Sequence, residues 1–419
     1  MHCGFDFGTS NSALGIHDGV TPVLLPLEGQ HRTMPTALFY RPERPAPDLG
    51  REAMQAYLGG DEGRLMRSIK SVLGTSLIEE TTRVGNRQVP FTAVLHDFIA
   101  EAKRRAEAAC GHALTAIVQG RPVNFVDGNP DGDRAAQATL DGILRSVGFK
   151  HIEFEYEPVA AACLYADQHA GAVKPDTLAL IVDIGGGTSD FSLVRLTPPV
   201  SDHGRTRADV LASTGLRLGG TDFDASLSFY KVMPLLGLGL EVTEKKIPAP
   251  RWIYSTLSSW PRINTLYAPK AERDVRWLAE TAPDQAEFQR LETVVEHRLG
   301  HRLGADVEGA KIGLSNAADH ALALSYIEAG LAPVLHEHDL REVLTEGMAR
   351  LTGGIDACLS QSGVTAEDVG LVILTGGSTE MPVVQDAVRA RLPGAEITPC
   401  DTFGAVASGL AVEAARRFA

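Results

Sequence analysis

No apolar run in the sequence approaches the roughly 18 residues that span a bilayer. The longest candidate, residues 232–240, is short and interrupted by Pro234, Gly237 and Gly239. The opening residues Met1-His2-Cys3-Gly4-Phe5-Asp6 hold neither a basic stretch nor an apolar core, so no secretory signal is expected. No C-x-x-C pair occurs among the five cysteines (Cys3, Cys110, Cys163, Cys358 and Cys400). An odd, scattered set points to reduced thiols and a cytoplasmic setting. Positive charge is scarce as well: 39 Lys and Arg against 53 Asp and Glu leave a net charge of −14. Such a surface repels phosphate backbones, so neither nucleic acid nor a membrane is expected as a partner. What is present is ordinary globular material, 44% hydrophobic and 22% charged over 419 residues. That length is enough for two or three domains.

The strongest positive signal is an internal rhyme. Near the start stands Gly4-Phe5-Asp6-Phe7-Gly8-Thr9-Ser10-Asn11-Ser12. Much later comes Leu180-Ile181-Val182-Asp183-Ile184-Gly185-Gly186-Gly187-Thr188-Ser189-Asp190-Phe191. Each is an apolar strand ending in Asp, a turn of glycine and hydroxyl residues, and a second strand (14–16; 191–196), which predicts two tight β-hairpins. Two copies of one unit predict two similar tandem domains with a boundary near 170–175.

Elsewhere, apolar residues at Val94, Leu95, Phe98, Ile99, Ala102 and Ala106 predict a helix. A buried strand is expected over 115–118, a helix from about 133 to 147, and another helix opened by Pro158. Residues 370–375 read as a fully apolar strand, followed by Gly376-Gly377-Ser378-Thr379 and a helix opened by Pro382. The last helix, about 402–417, carries Gly404, Ser408, Ala411 and Ala415 on one face. This face can pack closely against Ala160-Ala161-Ala162, either as a hinge between domains or as simple tight packing. All three tryptophans (Trp252, Trp260, Trp277) fall within 234–305, with Tyr254, Tyr267 and Phe288. They read either as the core of a separate lobe or as a partner surface.

Turns of glycine and hydroxyl residues offer free backbone N–H groups that bind phosphate without a basic patch. Asp6 and Asp183, at the two strand ends, would face each other across a cleft. Such a pair suits a hydrated Mg²⁺, which takes one or two carboxylates plus phosphates and waters. Two decoys are set aside. Asp127-Gly128-Asn129-Pro130-Asp131-Gly132 opens like a calcium loop but has Ala138 where the closing Glu belongs. The pairs His297/His301 and His336/His338 lack the remaining ligands of a zinc site.

Taken together, these motifs resemble those of the 70-kDa heat-shock protein (DnaK-type) chaperone family. Residues 4–12 resemble its first phosphate motif, 182–191 its second, and 371–382 its adenosine motif. Glu157-Pro158-Val159-Ala160-Ala161-Ala162, Leu218-Gly219-Gly220-Thr221-Asp222-Phe223-Asp224 and Ser68-Ile69-Lys70-Ser71-Val72-Leu73-Gly74 resemble three further family elements, in order along the chain. Gly120-Arg121-Pro122-Val123-Asn124-Phe125 and Leu299-Gly300-His301-Arg302-Leu303 look closest to the YegD-type branch.

The resemblance implies an α/β, actin-like ATPase fold of two duplicated RNase H-like domains around a nucleotide cleft. The expected domains are 1–172, with the helix at 402–419 packing back across the hinge, and 173–401, with an enlarged helical lobe at about 225–315. It implies a slow, Mg²⁺-dependent, chaperone-like ATPase that binds ATP or ADP, with K⁺ as a further ion. Asp6 and Asp183 would hold the metal through waters, and Lys70 would steady the γ-phosphate. Glu157, Thr188 and Asp190 would order the attacking water. Gly8, Thr9, Ser10, Asn11, Gly185, Gly186, Gly187, Gly219, Gly220, Gly376, Gly377 and Ser378 would line the nucleotide, while Glu308, Lys311 and Ser315 would meet ribose and adenine. Pro122 and Arg134 match a nucleotide-sensing switch. The expected partner is a protein client or a nucleotide-exchange protein.

Three departures bear on function. The sequence ends at Ala419 with no apolar linker or peptide-binding domain, so no peptide clamp is expected. Ile312 and Glu380 replace the arginines that sandwich adenine in the family. Residues 223–308 form a longer second lobe than usual. The rival readings are an actin-like filament or scaffold ATPase and a sugar- or acetate-kinase-type phosphotransferase of the same superfold.

Overall fold

The computed structural model describes the chain except residues 45, 127–128, 170–172, 175, 198–206, 243–246, 283, 400–403 and 419. Most of the expected boundary at 170–175, the start of the calcium-loop decoy, Cys400 and the start of the last expected helix lie outside the described residues.

Strand β1 (His2–Phe7) turns at Gly8-Thr9-Ser10 into β2 (Asn11–His17), antiparallel, with Asp6 opposite Ala13. Strand β3 (Pro22–Leu24) continues the meander, and β4 (Met34–Pro35) pairs with the start of β2. A side sheet of β5 (Ala37–Tyr40), β6 (Asp48–Leu49) and β7 (Arg64–Arg67) packs on α1 (Gly50–Leu58). The hairpin of β8 (Thr81–Val84) and β9 (Arg87–Pro90) leads into α2 (Phe91–Cys110). Helix α2 buries all six apolar residues whose three- and four-residue spacing predicts it.

Strand β10 (Ala116–Arg121), helix α3 (Pro130–Ser146) and strand β11 (His151–Tyr156) follow. Helix α3 starts ahead of its expected position because Pro130 suits a first turn and the Asn129 side chain accepts the Gly132 N–H at 3.0 Å. The first sheet runs β11-β10-β1-β2-β3.

Helix α4 (Glu157–Gln168), opened by Pro158, crosses to a second sheet. There β12 (Thr177–Ile184), β13 (Ser189–Thr197) and β14 (Arg207–Leu216) form an antiparallel meander, with Asp183 opposite Asp190. Next come α5 (Gly220–Leu227) and a helical lobe of α6 (Arg251–Leu257), α7 (Pro269–Thr281), α8 (Ala286–Glu296) and α9 (Gly300–Leu314). A hairpin of β15 (Asp319–Ala321) and β16 (Val334–His336) precedes α10 (Glu337–Val343) and α11 (Thr345–Ser362). Strand β17 (Val369–Thr375), helix α12 (Pro382–Arg391), strand β18 (Glu396–Pro399) and helix α13 (Ala405–Phe418) complete the chain. The second sheet runs β14-β13-β12-β17-β18, the same order as the first when read from its antiparallel edge. This mixed α/β architecture is compatible with an actin-like ATPase fold.

Helix α13 lies across β1, β2 and α4. The expected small-residue face is only partly the observed one. Ala411 is buried, but the close approach to α4 is made by Gly409, where a Cβ would stand 2.2 Å from the Ala160 carbonyl oxygen. Ser408 and Ala415 are only half-buried. In the helical lobe Tyr254 and Phe288 are core residues, as expected of lobe aromatics. Trp252 and Trp277 are not, with 44% and 47% of their surface exposed.

Candidate functional site

Asp6 and Asp183 are the penultimate residues of β1 and β12, and both are recessed at the floor of the cleft between the two sheets. Lys70 reaches the same floor from a single 3₁₀ turn (Ile69–Val72), entered through Ser68 at a left-handed φ of 55°. That conformation is uncommon outside glycine and fixes the direction in which the turn leaves β7. The Lys70 Nζ donates to Glu157 Oε1 at 2.7 Å, and both side chains are nearly enclosed.

The electrostatics follow from three carboxylates meeting one ammonium. Burial, then the Glu157 charge, pushes Asp6 up to about 8 against the opposing pull of Lys70, with Asp183 adding a little. Burial and Glu157 likewise push Asp183 up to about 6, against a hydrogen bond from Thr375 and the charge of Lys70. Burial works to lower Lys70, but Glu157, Asp6 and Asp183 together hold it above its ordinary value. A floor with surplus negative charge, whose carboxylates resist ionising alone, fits a divalent cation. Among the described residues no group of three or more His, Cys, Asp or Glu could hold a metal ion. The two carboxylates Asp6 and Asp183 fit Mg²⁺ bound through waters and phosphates, a mode that asks for one or two carboxylates rather than a protein cage. Nothing among the described residues supports a K⁺ ion.

The glycine turns converge above this floor. The Gly185 N–H donates to Thr188 O at 2.9 Å, closing the second turn. The Gly220 N–H reaches Gly185 O at 2.9 Å, and the Thr221 N–H and hydroxyl both reach Gly186 O. A Cβ on Gly186 would stand 2.2 Å from Ser10 Oγ, so the two hairpin turns touch across the cleft. Gly376, at φ +81°, backs directly onto Ile184 and the Asp183 carboxylate, which only a residue without a side chain allows. Gly377 and Ser378 continue from it in a 3₁₀ turn, and a Cβ on Gly220 would lie 2.8 Å from Ser378 Oγ. Thr188 is exposed at its turn. Asp190 lines a small cavity with Glu157 and Asp183. Thus Ser10 of the first turn meets Gly186 of the second, and Gly219 and Gly220 pack on that second turn through Gly185, Gly186 and Gly187.

The three residues expected at ribose and adenine lie at the end of α9, but one is already occupied. Lys311 is buried, with Nζ 2.8 Å from Asp224 and 3.2 Å from the Gly220 carbonyl oxygen. It ties α9 to α5 beneath the turn. Burial pushes Asp224 up to about 6 despite Lys311, and Glu308 adds to the rise. Ser315 sits just past the helix and donates to Lys311 O. Ile312 is 57% exposed and Glu380 is also at the surface.

Sequence reading missed the supports. Buried Thr36 props the first turn from behind: its hydroxyl donates to Gly8 O at 2.8 Å and its N–H to Ser10 O at 2.8 Å. A lone threonine in a loop carries no signal for this. Arg134, the expected switch arginine, is exposed and paired with Asp131 on its own helix. The arginine beside Pro122 is Arg121, whose hydrogen bonds hold that loop. The two halves also meet away from the floor, where Tyr57 of α1 hydrogen-bonds the His301 ring of α9 at 2.9 Å. Asn264 donates to the Tyr57 oxygen at 3.2 Å, and the Arg67 guanidinium lies 5.1 Å from the Trp260 ring. His301, set aside above as a zinc ligand, is a buried contact residue. His336 and His338 stack on each other, with Asp319 on His336.

Residues 275–416 match the family model described as Hsp70 protein. The matched segment holds Glu308, Lys311, Ser315 and the Gly376-Gly377-Ser378 turn. Asp6, Lys70, Glu157 and Asp183 lie outside it. The match supports the Hsp70 family and an Hsp70-like ATP-binding chaperone, a family that binds ATP or ADP with Mg²⁺. No helix among the described residues is long and apolar enough to cross a membrane.

Proposed function

We propose that this chain is an ATP-binding, slowly ATP-hydrolysing, chaperone-like protein of the DnaK type, nearest the YegD-type branch. The observation that carries the reading is the convergence of Asp6, Asp183 and the Lys70–Glu157 pair beneath glycine turns contributed by both sheets. In this reading the two sheets of like strand order are duplicated halves, 1–172 with 402–419 and 173–401, closing on a nucleotide.

Each residue then has a task. Backbone N–H groups of the turns at 8–10 and 185–187 bind phosphate oxygens. Mg²⁺, when bound through waters to Asp6 and Asp183, would offset the phosphate charge. Lys70 directs its ammonium at the γ-phosphate as charge shifts in the transition state. Glu157, with Asp190 and Thr188, orients the attacking water and accepts its proton. The cycle would serve a cytoplasmic protein client or exchange partner.

Single-turnover hydrolysis of γ-labelled ATP, with Mg²⁺ and with EDTA, tests the reading. Mg²⁺-dependent phosphate release that disappears in Asp183→Asn supports it. Tight ATP binding with no release over hours would leave a nucleotide-binding protein without the hydrolytic step.

A further inference from the structure

Arg121 is the last residue of β10, and its side chain is only about one-tenth exposed. Its guanidinium donates to the backbone oxygens of Pro122 at 3.0 Å and Val123 at 3.1 Å, to Asp133 at 2.5 Å, and to Gln137. The other Asp133 oxygen accepts the Phe125 N–H at 2.6 Å. The rings of Phe125 and Tyr156 lie 5.1 and 5.2 Å from the guanidinium carbon, within cation–π reach. A planar fork with donors along several directions can do this, whereas a lysine ammonium on a flexible stem cannot.

What Arg121 holds is the housing of Glu157. Arg121 pairs with Tyr156 in the β10–β11 register, and Tyr156 is the residue before Glu157. Pro122 and Val123 line the same small cavity as Glu157, Asp183 and Asp190. On the other side of Arg121, a Cβ on Gly120 would come within 3.2 Å of Glu157 Cγ. The residues on both sides of Arg121, and its cross-strand partner, thus border Glu157 or its cavity. None of the hydrogen bonds made by Arg121 reaches the cleft carboxylates.

We infer that Arg121 is a positioning residue, which fixes where the Glu157 carboxylate stands against Lys70 and the cleft floor. Its effect on turnover rests on the ATPase reading; its effect on Glu157 does not. The test uses the full chain as wild type, R121K, E157Q and R121K/E157Q, with Y156L as a second route to the same contact if R121K folds poorly. The Glu157 side-chain carboxyl resonance is followed in ¹³C-glutamate-labelled protein at fixed pH, assigned by its loss in E157Q. It should shift in R121K while the Glu28 carboxyl stays in place. kcat should fall about tenfold or more, since small misplacements are costly, with ATP affinity within about twofold of wild type. In the E157Q background R121K should add less than about a twofold loss, because the residue it positions is gone. An unmoved Glu157 resonance overturns the inference, as does an equal loss of turnover in both backgrounds. If wild type does not turn over ATP, the ATPase reading fails, and the resonance alone decides the role of Arg121.

Discussion

Lys70 and Glu157, 87 residues apart in sequence, meet at 2.7 Å with Asp6 and Asp183 close enough for each charge to act on the others. The ammonium sets its charge against all three carboxylates, so it serves both the empty and the filled cleft. Lys70→Ala should therefore lower turnover by about 100-fold or more while nucleotide remains bound, because the clamp acts on charge that develops in the transition state. It should also destabilise the nucleotide-free protein by about 3 kcal/mol, because three carboxylates lose their counter-charge. Single-turnover kinetics and urea unfolding check the two halves of this prediction. Turnover within about threefold of wild type would make Lys70 a structural counter-ion alone.

The raised carboxylates give a pH dependence of definite sign. Asp6 and Asp183 stand at about 8 and about 6 in the folded chain against 3.8 ordinarily. Their favourable contribution is full below about pH 4 and is lost as pH rises through 6 and then 8. Asp6→Asn removes the ionisation, so its stability advantage over wild type should grow from pH 4 to 8 and level off above. At pH 9 it should reach on the order of 2–4 kcal/mol. Mg²⁺ affinity should rise over the same range as the metal displaces protons. Urea midpoints in EDTA that differ by a constant offset at every pH would defeat this account.

Base recognition should be weak. Ile312 offers one apolar face at 57% exposure, and Glu380 carries the wrong sign for a cation–π contact. The affinity for the nucleoside part should be lower by about 1–3 kcal/mol, roughly tenfold to a hundredfold, than with two stacked arginines. Poor discrimination between ATP and GTP should accompany it. Calorimetry with ATP, GTP and adenosine on wild type and on Ile312→Arg/Glu380→Arg checks this. Nanomolar ATP binding with rejection of GTP would mean that another residue grips the base.

Much of this site was legible in the sequence because its parts are local. A strand ending in Asp followed by a glycine turn is written in consecutive residues, twice, and α2 is written in the spacing of six apolar positions. What was not legible depends on contacts between distant segments. Lys311 looked free for a ligand because Asp224, 87 residues away, gave no sign of claiming it. Arg134 looked like the switch arginine because sequence offers no way to see that Arg121 turns back on its own loop. Trp252 and Trp277 show that clustering in sequence does not decide burial, since an amphipathic helix can aim an aromatic outward.

The contact between α1 and α9 yields the last prediction. Tyr57 meets His301 at 2.9 Å and edge-on at 4.8 Å between rings, and His301 in turn contacts the Trp260 carbonyl oxygen at 3.2 Å. This clasp joins the side sheet of the first half to the helical lobe of the second, apart from the carboxylate floor. In the proposed ATPase cycle, opening the cleft would break it, and its strength would set part of the barrier to nucleotide release. Tyr57→Ala removes the hydrogen bonds to the neutral His301 ring and from Asn264, and the aromatic edge contact with His301, together worth about 1–2 kcal/mol. Nucleotide dissociation should speed up by about five- to thirtyfold, with single-turnover hydrolysis changed by less than about twofold. Burial holds His301 down at about 4, so the ring stays neutral and the clasp intact until pH falls well below 6. The ring's own contribution to stability is present above its ordinary value of 6.5 and declines from there as pH falls toward 4. Stopped-flow release of a fluorescent ADP analogue between pH 5.5 and 8 measures both effects. The rate should be nearly flat with pH in wild type and uniformly faster in Tyr57→Ala. An unchanged release rate in that variant would place the rate-limiting opening elsewhere in the cleft.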